Sequence, residues 1–96
     1  MYQKAAELDP KRADPFFNLG YIYAVTDNYP KAKEMYTRVV ALSPEYLDEA
    51  LFNLAMVQAE FGERENGIKS LKRALEINPA NEAALAFLEQ LKQEKE

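Results

Sequence analysis

Phe16-Phe17-Asn18-Leu19-Gly20 returns 35 residues later as Leu51-Phe52-Asn53-Leu54-Ala55, almost letter for letter. A pattern that recurs at fixed distance decides the architecture before any single residue does. A second box recurs three times around it: Lys4-Ala5-Ala6-Glu7-Leu8-Asp9-Pro10, Arg38-Val39-Val40-Ala41-Leu42-Ser43-Pro44 and Arg73-Ala74-Leu75-Glu76-Ile77-Asn78-Pro79. Its prolines stand 34 and then 35 residues apart. The unit is therefore about 34 residues long, with two full copies and a partial copy at each end. This is a repeat protein.

The bulk numbers narrow what such a repeat can do. Ninety-six residues at 48% hydrophobic give one domain with a small core. A net charge of −4 lacks the basic stripe that nucleic acid requires and does not favour an anionic membrane surface. The chain has no cysteine, hence no disulfide framework and no thiolate metal site. It has no histidine either, which removes the commonest general base and the commonest metal ligand. No apolar run reaches the length of a membrane span, and Met1 is not followed by a secretory leader pattern. The expected location is cytoplasmic, with no membrane and no nucleic acid among the partners.

Read in order, the chain alternates helices and breakers. Met1–Leu8 reads as a short helix stopped by Asp9-Pro10. Asp14-Pro15 reads as a cap followed by proline in the first turn, opening a nearly all-apolar helix to about Thr26. Asp27-Asn28-Tyr29-Pro30 is a turn. An amphipathic helix follows to Leu42, with Ala32, Met35, Tyr36, Val39 and Val40 on one side and Lys31, Lys33, Glu34 and Arg38 on the other. After Ser43-Pro44, the segment Glu45-Tyr46-Leu47 carries a one-residue insertion. Asp48–Phe61 is the second apolar-rich helix, closed by Gly62. Glu63–Ile77 is its amphipathic partner. Gly67 aligns with Ala32, so it reads as a close helix–helix contact and not as a turn. Asn81 can cap a last helix, Glu82 to about Lys95, whose Leu85, Leu88 and Leu91 face inward.

At about 100° per residue, the first helix of the unit is apolar on two opposed sides. Phe16, Leu19, Gly20 and Tyr23 share one; Phe17, Tyr21, Ala24 and Val25 share the other. The second unit repeats this with Leu51, Leu54 and Ala55 against Phe52, Met56 and Ala59. One side can be buried by the partner helix. The other needs a neighbour, a ligand or another chain.

These residues resemble the tetratricopeptide repeat family. The first unit supplies Phe16, Leu19, Gly20, Tyr23, Ala32, Tyr36 and Pro44 at the family's positions, with Val39 where a small residue is usual. The second supplies Leu51, Leu54, Ala55, Gly62, Gly67, Leu71, Ala74 and Pro79, with Gln58 where an aromatic is expected. The resemblance implies an all-α superhelical solenoid of antiparallel helix hairpins. It divides the chain into residues 1–12 (second helix of a partial repeat), 13–47 and 48–81 (two repeats), and 82–96 (a capping helix). It also implies that the first helices line a concave groove for a peptide or partner helix.

Carried over position by position, that groove comprises Phe17, Asn18, Tyr21, Ala24, Val25, Glu49, Phe52, Asn53, Met56, Glu60 and Phe87. Asp14, Ala59, Ala83, Ala86 and Gln90 are further groove positions, and the acidic Asp14, Glu49 and Glu60 stand at its margin. The family's carboxylate clamp, which holds chaperone tails with Lys, Asn and Arg, is not reproduced. Asn18 and Asn53 are kept, but Phe17, Ala83 and Phe87 occupy the cationic places, and a carboxylate needs charge-assisted donors.

Phe16, Leu19, Tyr23, Tyr36, Leu51, Leu54 and Leu71 read as core. The sixteen carboxylates are interleaved with lysine and arginine on wet faces. No phosphate loop, zinc-ligand pair or activated serine is present. Neither catalysis nor a cofactor nor a metal is expected. The sequence thus points to a protein-interaction module whose apolar, acid-rimmed groove suits an apolar or amphipathic segment carrying some basic residues. The alternative is a self-associating piece of a longer scaffold, forming a homo-oligomer through the uncovered N-terminal helix with Tyr2, Ala5 and Leu8.

Overall fold

The computed structural model describes residues 13–93. Five helices follow one another with no strand among the described residues: α1 (Ala13–Val25), α2 (Tyr29–Leu42), α3 (Leu47–Glu60), α4 (Arg64–Ile77) and α5 (Glu82–Gln93). The expected helix at Met1–Leu8, and with it the motive for self-association, lies outside the described residues, as does the expected end of the last helix at Lys95. Helix limits fall within two residues of those read from the sequence. Asp14 sits inside α1, and its carboxylate accepts the Tyr46 hydroxyl.

Each helix packs chiefly on the one before and the one after it, and the molecule measures 44 × 27 × 16 Å. That is the one-directional stacking of a solenoid. The core is correspondingly divided. Phe16, Val39 and Ala50 join α1, α2 and α3, while Ala32, Tyr36, Leu54 and Val57 join α2 to α3. Leu51, Ala55, Leu71, Ala74, Ala84, Leu88 and Leu91 join α3, α4 and α5. Leu71 is fully enclosed, and cutting such a side chain back to alanine costs about 2–5 kcal/mol. Leu19 and Tyr23, expected with the core, are only partly buried. They flank the stripe of α1 that Phe16 and Gly20 centre on α2.

The turns within the two units share one geometry. After α1, Asp27 is left-handed (φ 64°), its N–H donates to the Ala24 carbonyl, and the Asn28 N–H reaches back to Tyr23. After α3, Gly62 takes the same place (φ 87°), with N–H bonds from Gly62 to Ala59 and from Glu63 to Gln58. This double bond pattern satisfies carbonyls that the helix end would otherwise leave open. Between units the links differ: Ser43 turns left-handed (φ 50°) before Pro44, whereas Asn81 caps α5 by accepting the Ala84 N–H at 3.0 Å.

Two glycines set how closely helices approach. A β-carbon on Gly20 would lie 2.8 Å from the edge of the Tyr36 ring, and one on Gly67 would lie 3.2 Å from the Ala55 carbonyl oxygen. Gly67 is therefore a contact glycine inside α4, as its alignment with Ala32 suggests. Replacing Gly20 by alanine should lower stability by about 1–3 kcal/mol, although alanine is the better helix former, because the buried Tyr36 ring has nowhere to move. In a Tyr36→Leu background the same substitution should cost about 1 kcal/mol less, which a double-mutant cycle in urea measures.

One polar node ties the units together. The Asp48 carboxylate accepts from the Asn78 amide at 3.0 Å and the Asn81 amide at 2.9 Å. The Asn78 bond, aided by Asn81 and local backbone N–H groups, holds the Asp48 carboxyl below its ordinary value against the opposing effect of burial. A depressed carboxylate stabilises the fold above its unfolded pKa, and that contribution is lost as pH falls through the folded one. Asp48→Asn should therefore be less stable than the parent at pH 7. The difference should shrink as pH is lowered below about 4, as read by urea midpoints across a pH series.

Candidate functional site

The apolar sides of α1 and α3 that the neighbouring helices leave uncovered lie together. They form a groove of about 570 Å³, within the range that holds a ligand side chain or short segment. Phe17, Tyr21, Ala24 and Val25 line it from α1, and Glu49, Asn53, Met56 and Glu60 from α3, with Phe87 contributed by α5. Nine of the eleven positions assigned from the sequence thus share one hollow. Tyr21 and Val25 are well exposed, at 61% and 59%, and Met56 at 40%. Phe17 is half-buried, its ring edge-on to Tyr36 (5.7 Å between centroids) and to Tyr46 (5.1 Å).

The other two positions lie in smaller hollows beside it. Asn18 joins Asp14, Phe17, Tyr46 and Glu49 around about 290 Å³. Phe52 joins Asp48, Glu49, Asn53, Asn81 and Ala83 around about 330 Å³. Phe52 is displaced from the main groove because the Phe87 ring stands edge-on to it, 5.9 Å away. Ala59, also expected in the groove, packs instead against the core between α3, α4 and α5. Ala86 and Gln90 line none of these three hollows.

Four aromatic or apolar lining residues were not anticipated. Tyr36 and Val57 are core residues whose edges form the groove floor, and Tyr29 enters from the start of α2. Burial, with a lesser effect of the Tyr21 phenol, pushes the Tyr36 hydroxyl up to about 12, so it stays protonated at any ordinary pH. Tyr46 is the fourth. It is the middle residue of the inserted Glu45-Tyr46-Leu47, and the visible signal was an aromatic placed immediately before a helix whose face lines the groove.

The electrostatics of the site are one-sided. Asp14, Asp48, Glu49 and Glu60 line the three hollows, and among the described residues no lysine or arginine does. The described basic residues that make ion pairs do so elsewhere: Lys33 binds Glu63 at 2.7 Å beside the Phe61 ring, Arg38 pairs with Glu34 at 3.6 Å and lies over Phe16, and Arg64 pairs with Glu65 at 3.2 Å. The amides of Asn18 and Asn53 make no side-chain hydrogen bond with another described residue. Among the described residues no group of three or more His, Cys, Asp or Glu is placed to hold a metal, and no helix is long and apolar enough to cross a membrane.

Comparison with known proteins fits this geometry. Tetratricopeptide repeat sequences match residues 1–34 and 48–81. A UDP-N-acetylglucosamine–peptide N-acetylglucosaminyltransferase of Giardia intestinalis is 30% identical over 90 residues, covering 94% of this chain but 6% of that enzyme. The tetratricopeptide repeat-containing protein trd-1 of Caenorhabditis elegans is 30% identical over 76 residues, covering 79% of this chain and 10% of the relative. The chain thus spans a tenth or less of these two relatives. Among solved structures, the first repeat domain of Spaghetti (RPAP3) bound to the HSP90 peptide SRMEEVD superposes with a TM-score of 0.88 at 24% identity, over 96% of this chain and 72% of that one. With repeat matches over residues 1–34 and 48–81, which together span more than half of its length, the chain belongs to the tetratricopeptide repeat family.

Proposed function

We propose that this chain is a non-catalytic interaction module that holds a peptide or partner helix in the groove between α1 and α3. The reading rests on one observation: Tyr21, Val25 and Met56 are exposed together in a concave, largely apolar hollow. Exposed apolar area of this kind is unfavourable in water and is relieved when a partner covers it. Phe17, Tyr36 and Val57 hold the floor rigid beneath them, so little ordering is needed on binding.

The neighbour's peptide SRMEEVD is the wrong kind of occupant here. It carries three acidic side chains, and the hollows of this chain are lined by Asp14, Asp48, Glu49 and Glu60, with no lysine or arginine among the described lining residues. The groove favours instead an apolar or amphipathic segment with lysine or arginine at its edges. The Asn18 and Asn53 amides, half-buried with no side-chain bond to other described residues, are placed to bond the backbone of such a segment.

Selection from a random peptide library on the intact chain should enrich aromatic and aliphatic residues flanked by Lys or Arg, with Asp and Glu depleted. Tyr21→Ala combined with Met56→Ala should weaken the selected peptides about tenfold or more. The helical signal should persist and stability should change by about 1 kcal/mol or less, because both side chains are exposed. Enrichment of acidic peptides, or unchanged binding by the double variant, would sink the reading.

A further inference from the structure

At its α1–α3 end the apolar groove opens, through Phe17 and Glu49, into the hollow shared with Asp14, Asn18 and Tyr46. One unit further on, Glu49, Phe52, Asn53 and Asn81 recur at the positions of Asp14, Phe17, Asn18 and Tyr46. The repeat has therefore built the same hollow twice. Glu49 belongs to both copies and to the apolar groove between them.

The carboxylates around these hollows are not equivalent. Asp48 is engaged by two asparagine amides, and Asp14 accepts the Tyr46 hydroxyl. The Glu49 carboxylate is exposed and makes no ion pair or hydrogen bond with any described residue. Beside it, the Phe17 and Tyr46 rings meet at 67°, presenting two aromatic walls at a corner. Aromatic faces attract a cation, and a flat guanidinium can lie against one while its N–H groups point at a carboxylate. In the second copy Asn81 replaces the tyrosine, so the aromatic corner exists only in the first.

We infer that Glu49, with the Phe17 and Tyr46 rings, forms a subsite for one arginine side chain of the segment docked in the apolar groove. The inference rests on the groove reading above and adds the chemistry of its polar end. Glu49 supplies the charge, and the rings supply shape and exclude water. Tyr46, brought by the insertion in the link between units, distinguishes this hollow from its repeat.

Two short peptides with the same aromatic and aliphatic core, one carrying a single arginine and the other citrulline at that place, test it by calorimetric titration. Citrulline keeps the shape and removes the charge. The arginine peptide should bind the intact chain about three- to tenfold more tightly, with a margin that shrinks as salt is added. In Glu49→Gln the two peptides should bind alike. In Tyr21→Ala both should weaken while their ratio is kept. Equal binding of both peptides to the unaltered chain overturns the arginine subsite and leaves the groove reading standing. Binding of neither, with the fold intact, removes both.

Discussion

The close approach of Gly20 to the Tyr36 ring is the contact on which the rest depends. At 2.8 Å from a would-be β-carbon, α2 lies against α1 along the stripe that Phe16 and Gly20 define. Once that side is taken, the opposite side of the same helix, with Phe17, Tyr21, Ala24 and Val25, cannot also be covered by α2. In the second unit the contact is reversed in origin: Gly67 belongs to α4 and lets it approach the backbone of α3 at Ala55. Either arrangement leaves a first helix with one apolar face over. The groove is thus a consequence of local packing, not a separate construction.

Much of this was legible because a repeat makes a sequence its own alignment. The 35-residue recurrence placed Phe17, Asn53 and Met56 on a common face before any coordinates, and nine groove positions came out together. What stayed hidden has identifiable causes. Asp27 occupies the left-handed position that glycine marks at Gly62; a residue that adopts that conformation only at a cost gives no signal in advance. Helical angles place a residue on a face but say nothing of the neighbour's reach, so Phe52 could not be seen to fall under the Phe87 ring. Nor could angles show that Tyr36, a core residue by every sequence criterion, turns one edge to the groove. Tyr46 lies in the inserted link, where periodicity no longer applies.

An exposed apolar face must be kept from associating indiscriminately. Here carboxylates border it: Glu49 and Glu60 stand among its lining residues, and the chain carries a net charge of −4. Like charge between copies opposes nonspecific contact. On the proposed reading the same charges bias which segment enters, since an acidic one meets repulsion and a basic one attraction. Solubility and selectivity therefore draw on the same few side chains, while the polar links that stabilise the fold, Lys33 to Glu63 and Asp48 to Asn78 and Asn81, lie between structural elements.

Successive hollows in a repeat share a backbone but need not share chemistry. Between the first and the second, Phe17 and Asn18 are matched by Phe52 and Asn53, whereas Tyr46 gives way to Asn81. That one replacement exchanges an aromatic wall for an amide that caps α5 and binds Asp48. The amide makes the second link structural, whereas the tyrosine hydroxyl binds Asp14 and its ring lines the first hollow. Because the stacking geometry is set by buried residues such as Gly20, Tyr36, Ala55 and Leu71, link and rim positions can change without disturbing it. A fold of this kind separates what holds it together from what it recognises, and the sign of its rim charges is the cheapest variable by which one array is made to prefer a different segment from another.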